Sequence, residues 1–237
     1  MMINGRPAPA APSQLGVRPD ARLSAGFLSQ AFLWMFAGLL VTAVVAWLIG
    51  SNEGVVRGAL DLYLPVVIGQ FVLVMAISAG INRMSASLAL LLFFVYSASM
   101  GVTLSLVLLA YGFGTAVSAF VTASAMFGAA AAYGAITKRS LASLGGFLLM
   151  ALIGVVVASL LNAFVFRSGT FDLGISIVGV LVFVGLTAYN VQKISRGDYA
   201  AATGSMEKGA VIAALALYLD FINIFLFLLR IFGGNRR

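Results

Sequence analysis

Seven predominantly apolar runs follow one another along this chain, at roughly residues 27–49, 62–81, 87–111, 116–136, 142–164, 173–194 and 209–232. A helix needs ~20 such residues to cross a hydrocarbon core ~30 Å thick, and each run meets that length. Lipid offers no hydrogen bonds, so a spanning backbone must satisfy its own N–H and C=O groups as a helix or a closed barrel. Barrel strands are ~10-residue segments of alternating polarity, whereas these runs are longer and evenly apolar. Composition points the same way: 62% of the 237 residues are hydrophobic and 9% charged, against ~25% charged in a soluble domain. A water-soluble fold of this length has no interior large enough for that apolar surface. The expectation is an all-α integral membrane protein whose seven transmembrane helices, joined mostly by connections under ~12 residues, form one bundle over 27–237.

Residues 1–26, "MMINGRPAPAAPSQLGVRPDARLSAG", hold four of the five prolines and offer no apolar face. They read as a disordered tail. The first apolar run starts late and is long enough to span, so it reads as a retained anchor rather than a cleaved signal. The chain has no cysteine and no histidine. That removes disulfide and thiolate chemistry, the commonest metal ligand, the commonest general base and the usual pH switch. No cofactor or metal site is expected.

The net charge of +7 borders membrane spans, so it reads as topology and not as a nucleic-acid surface. Lys and Arg concentrate on the cytoplasmic side. A cytoplasmic N-terminus places Arg6, Arg18, Arg22, Arg83, Lys138, Arg139, Lys193, Arg196 and Lys208 inside, and Arg57 and Arg167 outside. Arg230, Arg236 and Arg237 then fall outside, against the rule. Early spans dominate orientation, so the expected arrangement is N-in and C-out.

Close helix packing in lipid needs small residues. The last span offers Gly209, Ala213, Ala216 and Asp220 on one helical face, continued by Asn223. Gly128 with Ala132, and Gly154 with Ala158, are similar pairs in the fourth and fifth spans. Asp20, Glu53, Asp61, Asp172, Asp198 and Glu207 fall in the tail, in loops or at span ends, but Asp220 lies mid-span. A charge there costs at least ~2.5–3.5 kcal/mol on insertion scales. Such a group faces the bundle interior or a water-filled path, and it needs a partner. Gln70, Asn162, Asn190 and Asn223, with Arg83 and Arg230 at span ends, are the candidates, and spacing does not choose among them.

The segments "GLTAYNVQKI" (185–194) and "ALYLDFINIFLFLLRIFG" (216–233), with "FGAAAAYGAITKRSL" and "LIGVVVASLLN", resemble the Bax inhibitor family, also called the transmembrane Bax inhibitor motif family. The resemblance covers roughly 25–237. It implies six helices surrounding a central seventh. It also implies a pH-sensitive calcium leak gated by two aspartates, one in the sixth span and one in the seventh. Asp220 matches the second. The first falls at Asn190, where the motif ordinarily reads L-T-A-Y-D. Tyr189, Ala213, Ala216 and Asn223 are supporting positions. Two carboxylates in contact share a proton and titrate as a unit. With Asn190 there is one proton-binding carboxylate and no like-charge repulsion, so the expectation is a single-Asp gate with a blunted or shifted pH response. On the span boundaries above, Asn190 sits near the end of its helix and Asp220 near the middle of its own. Their contact then requires the sixth helix to run on toward Arg196 or the seventh to start later. Calcium takes 6–8 oxygen ligands, so one acid with amides and carbonyls makes at most a weak, transient site.

Rival functions are constrained by the same residues. Aspartyl proteolysis needs two facing acids, metalloproteolysis needs H-E-x-x-H, and no G-x-S-x-G elbow is present, so an enzyme is not expected. A coupled transporter lacks its internal repeat and paired broken helices. The stronger rival is a non-conducting inner-membrane regulator that binds and restrains another membrane protein, such as the ATP-dependent protease to which the family's bacterial members are linked.

Overall fold

The computed structural model describes residues 2–3, 6–7 and 21–234. The short antiparallel pairing of Met2–Ile3 with Arg6–Pro7 adds no layer to the fold. Among the described residues nine α-helices follow: α1 (Ala21–Gly50), α2 (Glu53–Asp61), α3 (Tyr63–Gly80), α4 (Ala86–Tyr111), α5 (Phe113–Ile136), α6 (Ala142–Leu161), α7 (Gly169–Ser195), α8 (Asp198–Thr203) and α9 (Met206–Gly233). Seven are long and apolar enough to cross a membrane: α1, α3, α4, α5, α6, α7 and α9. Apart from the start of α1, their limits agree with the sequence expectation to within about a turn. Because α1 starts at Ala21, positions 21–26 of the expected tail are helical. The rest of that tail, apart from the short pairing, lies outside the described residues.

Local chemistry sets where these helices begin. Ser85, Ser168 and Ser205 each accept a backbone N–H from the first turn of α4, α7 and α9, respectively, which satisfies one of the donors a helix start leaves open. Gly112, at φ 82°, turns α4 into α5 through a single residue, a conformation open to glycine at little cost. The fifth span ends in a π-helical turn at Asn162–Phe166. The Asn162 side chain donates to the Ser168 carbonyl at 3.2 Å and accepts the Ser168 N–H at 3.0 Å.

The seventh span occupies the centre. Within α9, 72% of the span is buried, against 44% or less in every other span. It packs against α1, α4, α5 and α7, whereas α3 packs chiefly on α4 and α6 on α7. The expected six-around-one ring is therefore modified: four spans line α9, and two stand a layer further out. Aromatic edges seat the core, with Phe120 and Phe127 on Phe221 and with Phe93 and Tyr96 on Tyr218.

Small residues let backbones touch, but not always the expected ones. A methyl group on Gly101 would stand 2.7 Å from the Thr42 carbonyl of α1. One on Gly134 would meet the Ala188 backbone of α7. Gly128 and Ala132, expected to pack, are exposed on the outer face of α5, and Gly154 has open space beside it. In lipid, apolarity marks a buried face and a lipid-facing face alike, so a small pair alone does not reveal which it is.

Candidate functional site

Three contacts in order fix how α7 and α9 lie together. Asn190 meets Asp220, Phe183 meets Phe227, and Asp172 pairs with Arg230 at 3.7 Å. As numbers fall on α7 they rise on α9, so the two helices are antiparallel. At the first contact the Asn190 Nδ2 donates to Asp220 Oδ2 at 2.8 Å, and Asp220 is only 3% exposed. The sequence candidates for this pairing thus resolve to one. Gln70 donates to Thr103 on α4, Asn162 is engaged in its own turn, and Asn223 donates to the Leu219 carbonyl of its own helix. Arg230 pairs with Asp172 about three turns beyond.

The sixth helix runs on to a cap at Arg196, as one expected route requires, but it gains only one residue by doing so. Helix α7 ends at Ser195, and α9 starts earlier than expected, at Met206. With Asn190 level with Asp220, the first turns of α9 project roughly 13 Å past the end of α7 at a rise of ~1.5 Å per residue. The connection climbs alongside that projection as α8. Gly197 (φ 74°) and Gly204 (φ 63°) turn the chain at its two ends. Gly209 lies so close to α8 that an added methyl group would stand 2.8 Å from Ala200 Cα.

Helix α8 brings in a residue that the sequence analysis did not single out. The Tyr199 hydroxyl donates to Asn190 Oδ1 at 2.8 Å. Asp220, Asn190 and Tyr199 therefore form one chain of hydrogen bonds from the bundle centre to α8. Lys193 Nζ sits 4.8 Å from the Tyr199 ring centre and 5.4 Å from that of Tyr189, within cation–π range. Burial raises the Tyr199 phenol above its ordinary 10.0, and the nearby Asp220, Tyr189 and Asp198 act in the same direction, so the phenol keeps its proton at neutral pH. A sequence signal for α8 existed in "RGDYAAATGS", six residues bracketed by glycines.

The supporting positions divide. Ala213 is fully buried, and Ala216 and Asn223 are half-buried. The Tyr189 ring covers Gly145 of α6, where an added methyl group would stand 2.7 Å from it. Gln192, also not singled out from sequence, is buried, accepts the Leu141 N–H at 2.8 Å and donates to the Arg139 carbonyl at 2.8 Å. It ties the α5–α6 connection to α7. On the other side of α9, Thr42 Oγ1 and Tyr218 Oη lie 2.6 Å apart. A groove of about 600 Å³ between α1, α4, α5 and α9 reaches Thr42, Phe221 and Ile222, beside Asp220 in the chain. Its lining is almost wholly apolar. Among the described residues, no three of His, Cys, Asp and Glu converge.

Comparison with known proteins places this geometry. Residues 24–237 match the profile of a family described as "Inhibitor of apoptosis-promoting Bax1". The "Inner membrane protein YbhL" of Escherichia coli is 42% identical over 226 residues, covering 93% of this chain and 96% of that one. An uncharacterized protein of Deinococcus radiodurans is 42% identical over 212 residues, covering 89% and 90%. One from Borreliella burgdorferi is 41% identical over 215 residues, covering 89% and 92%.

Proposed function

Because this chain belongs to the Bax inhibitor family of multi-pass inner-membrane proteins, we propose that it is a passive leak for cations, calcium in particular, gated where α7 meets α9. The carrying observation is the Asn190–Asp220 hydrogen bond, which holds the mid-span acid against the neighbouring helix. A carboxylate at this depth attracts a cation, and a lone one binds it weakly enough to release it. Asp220 is nearly sealed from solvent, so conduction requires α7 and α9 to part. The groove supports the same reading from the other side, since its apolar walls reach the Asp220 level and apolar constrictions gate by dewetting. The end that carries Arg83, Lys138, Arg139 and Lys193 faces the cytoplasm in this proposal, by the positive-inside rule.

The amide in place of a second carboxylate sets the pH behaviour. An amide donates to an ionised acid and accepts from a protonated one, so the contact survives both states. Protonation of Asp220 then biases the gate less than it would in a shared-proton pair. The test is calcium flux into liposomes across a pH series with wild type, Asp220→Asn and Asn190→Asp. Altered flux in Asp220→Asn, with a steeper pH profile in Asn190→Asp, supports the proposal. Equal pH profiles for wild type and Asn190→Asp refute the single-Asp gate. Absence of flux throughout refutes the leak and moves the assignment to a non-conducting regulator of a membrane partner such as an ATP-dependent protease.

A further inference from the structure

The hydrogen-bond chain at Asp220 has a direction. Asn190 turns its NH₂ to the acid and its carbonyl oxygen to Tyr199, so hydrogens point from Tyr199 toward Asp220. This suits an Asp220 that offers only acceptors. If Asp220 carries a proton and donates it, the Asn190 amide must present its oxygen to the acid and its NH₂ to Tyr199. The phenol oxygen then accepts instead of donating. The two arrangements differ in where the Tyr199 hydrogen goes. In the first it is spent on Asn190; in the second it is released from Asn190.

We propose that Asn190 and Tyr199 are a direction-reversing relay that carries the protonation state of Asp220 out to α8, with Tyr199 as the positioning residue that registers it at the membrane edge. The proposal rests on the proton-responsive Asp220 of the preceding section and adds how its state leaves the bundle without a second carboxylate. The surroundings isolate the relay. The spans of α1, α4 and α5, packed on the same stretch of α9, contain no Asp, Glu, Lys or Arg. Among the described residues, the charged or ionisable groups that act on Tyr199 are Asp220, Tyr189 on α7 and Asp198 on α8, with Lys193 of α7 over its ring. Lys193 lies against the Tyr199 ring and not in the chain itself. Asp198, the residue before Tyr199, acts on the phenol through its charge. The α8 backbone rests on Gly209 of α9, so a change at Tyr199 acts on the segment that leads into the helix bearing Asp220.

The experiment is a pH titration of the full-length wild-type protein in lipid nanodiscs, carrying tyrosine labelled with ¹³C at Cζ. The chain has seven tyrosines, and Tyr199→Phe identifies the Tyr199 signal by its loss. The relay predicts that this signal shifts with pH below the range of phenol ionisation. It predicts loss of that shift in Asp220→Asn and again in Asn190→Leu, where the acid remains but the relay is cut. A Tyr199 signal that ignores pH in wild type overturns the proposal, and that measurement needs no variant to fold. So does a shift that persists in Asn190→Leu. Failure of the leak is distinguishable: Tyr199 then still follows Asp220 while liposomes show no flux. PH-dependent flux with a silent Tyr199 keeps the leak and discards the relay.

Discussion

The Thr42–Tyr218 contact makes a sharp prediction because its hydrogens can be counted. Thr42 Oγ1 lies 2.7 Å from the Ser97 carbonyl, 3.0 Å from its own helix's Gly38 carbonyl and 2.6 Å from Tyr218 Oη. A threonine hydroxyl has one hydrogen, and here it goes to a carbonyl. Assigning it there makes Tyr218 the donor to Thr42, one of the two directions the contact allows. Removing either partner is then unequal. Tyr218→Phe removes a donor and leaves Thr42 bonded to its carbonyls, a loss of about 0.5–1 kcal/mol. Thr42→Val strands a phenolic hydrogen that is fully buried and also frees the Ser97 carbonyl. That costs about 1–3 kcal/mol. Ser97 Oγ, whose own hydrogen goes to the Phe93 carbonyl at 2.9 Å, is a substitute acceptor near Tyr218 and sets the lower end of that range. The double variant should lie below the sum of the two by roughly 1 kcal/mol, since stranding requires the phenol. Unfolding of the reconstituted protein by SDS in mixed micelles measures all three. A Tyr218→Phe cost equal to or above that of Thr42→Val, or strict additivity, would refute the assignment of donor and acceptor.

Other consequences are equally direct. Gly134→Val drives a branched side chain into the Ala188 backbone and should destabilise by more than about 1–3 kcal/mol, whereas Gly128→Ala, with open space beside it, should be neutral in the same assay. Gln192→Leu removes two hydrogen bonds to the α5–α6 connection; it should cost about 1–3 kcal/mol and raise hydrogen exchange at the Leu141 amide. The Tyr199 phenol is raised in the folded state, so the unfolded phenol ionises first, near its ordinary 10.0. The stabilisation is complete below that pH and declines as pH rises through it. Tyr199→Phe should flatten this alkaline decline, and an unchanged slope would contradict the burial of the phenol.

The spans were legible because lipid admits so few solutions: a long apolar run has almost nothing else to become. Asp220 was legible for the same reason, as a costly group in a place that demands explanation. Its partner was not. Gln70, Asn162, Asn190 and Asn223 are equivalent by spacing, and only the likeness to the Bax inhibitor family singled out Asn190, against the apparent depths of the two residues. The reason lies in α8, which read as a plain connection although Gly197 and Gly204 bracket it. Tyr199 was missed with it. Gly128 misled because small residues facing lipid and small residues facing a helix have the same composition. Gln192 gave no signal of its own, because a polar residue near a span end is usually solvated.

The central position of α9 also bears on how the protein is made. Six spans leave the ribosome before the one they surround. Until α9 enters, Thr42, Ser97 and the inner aromatic faces of α1, α4 and α5 lack the helix that fills the space between them. The early spans must therefore wait as a loose, open assembly held by pairwise contacts such as Gly101 on Thr42 and Gly134 on Ala188. Insertion of α9 then closes the core in one late step. A chain stopped before residue 206 would carry six correctly threaded helices and no centre, the form a membrane quality-control protease is best placed to recognise.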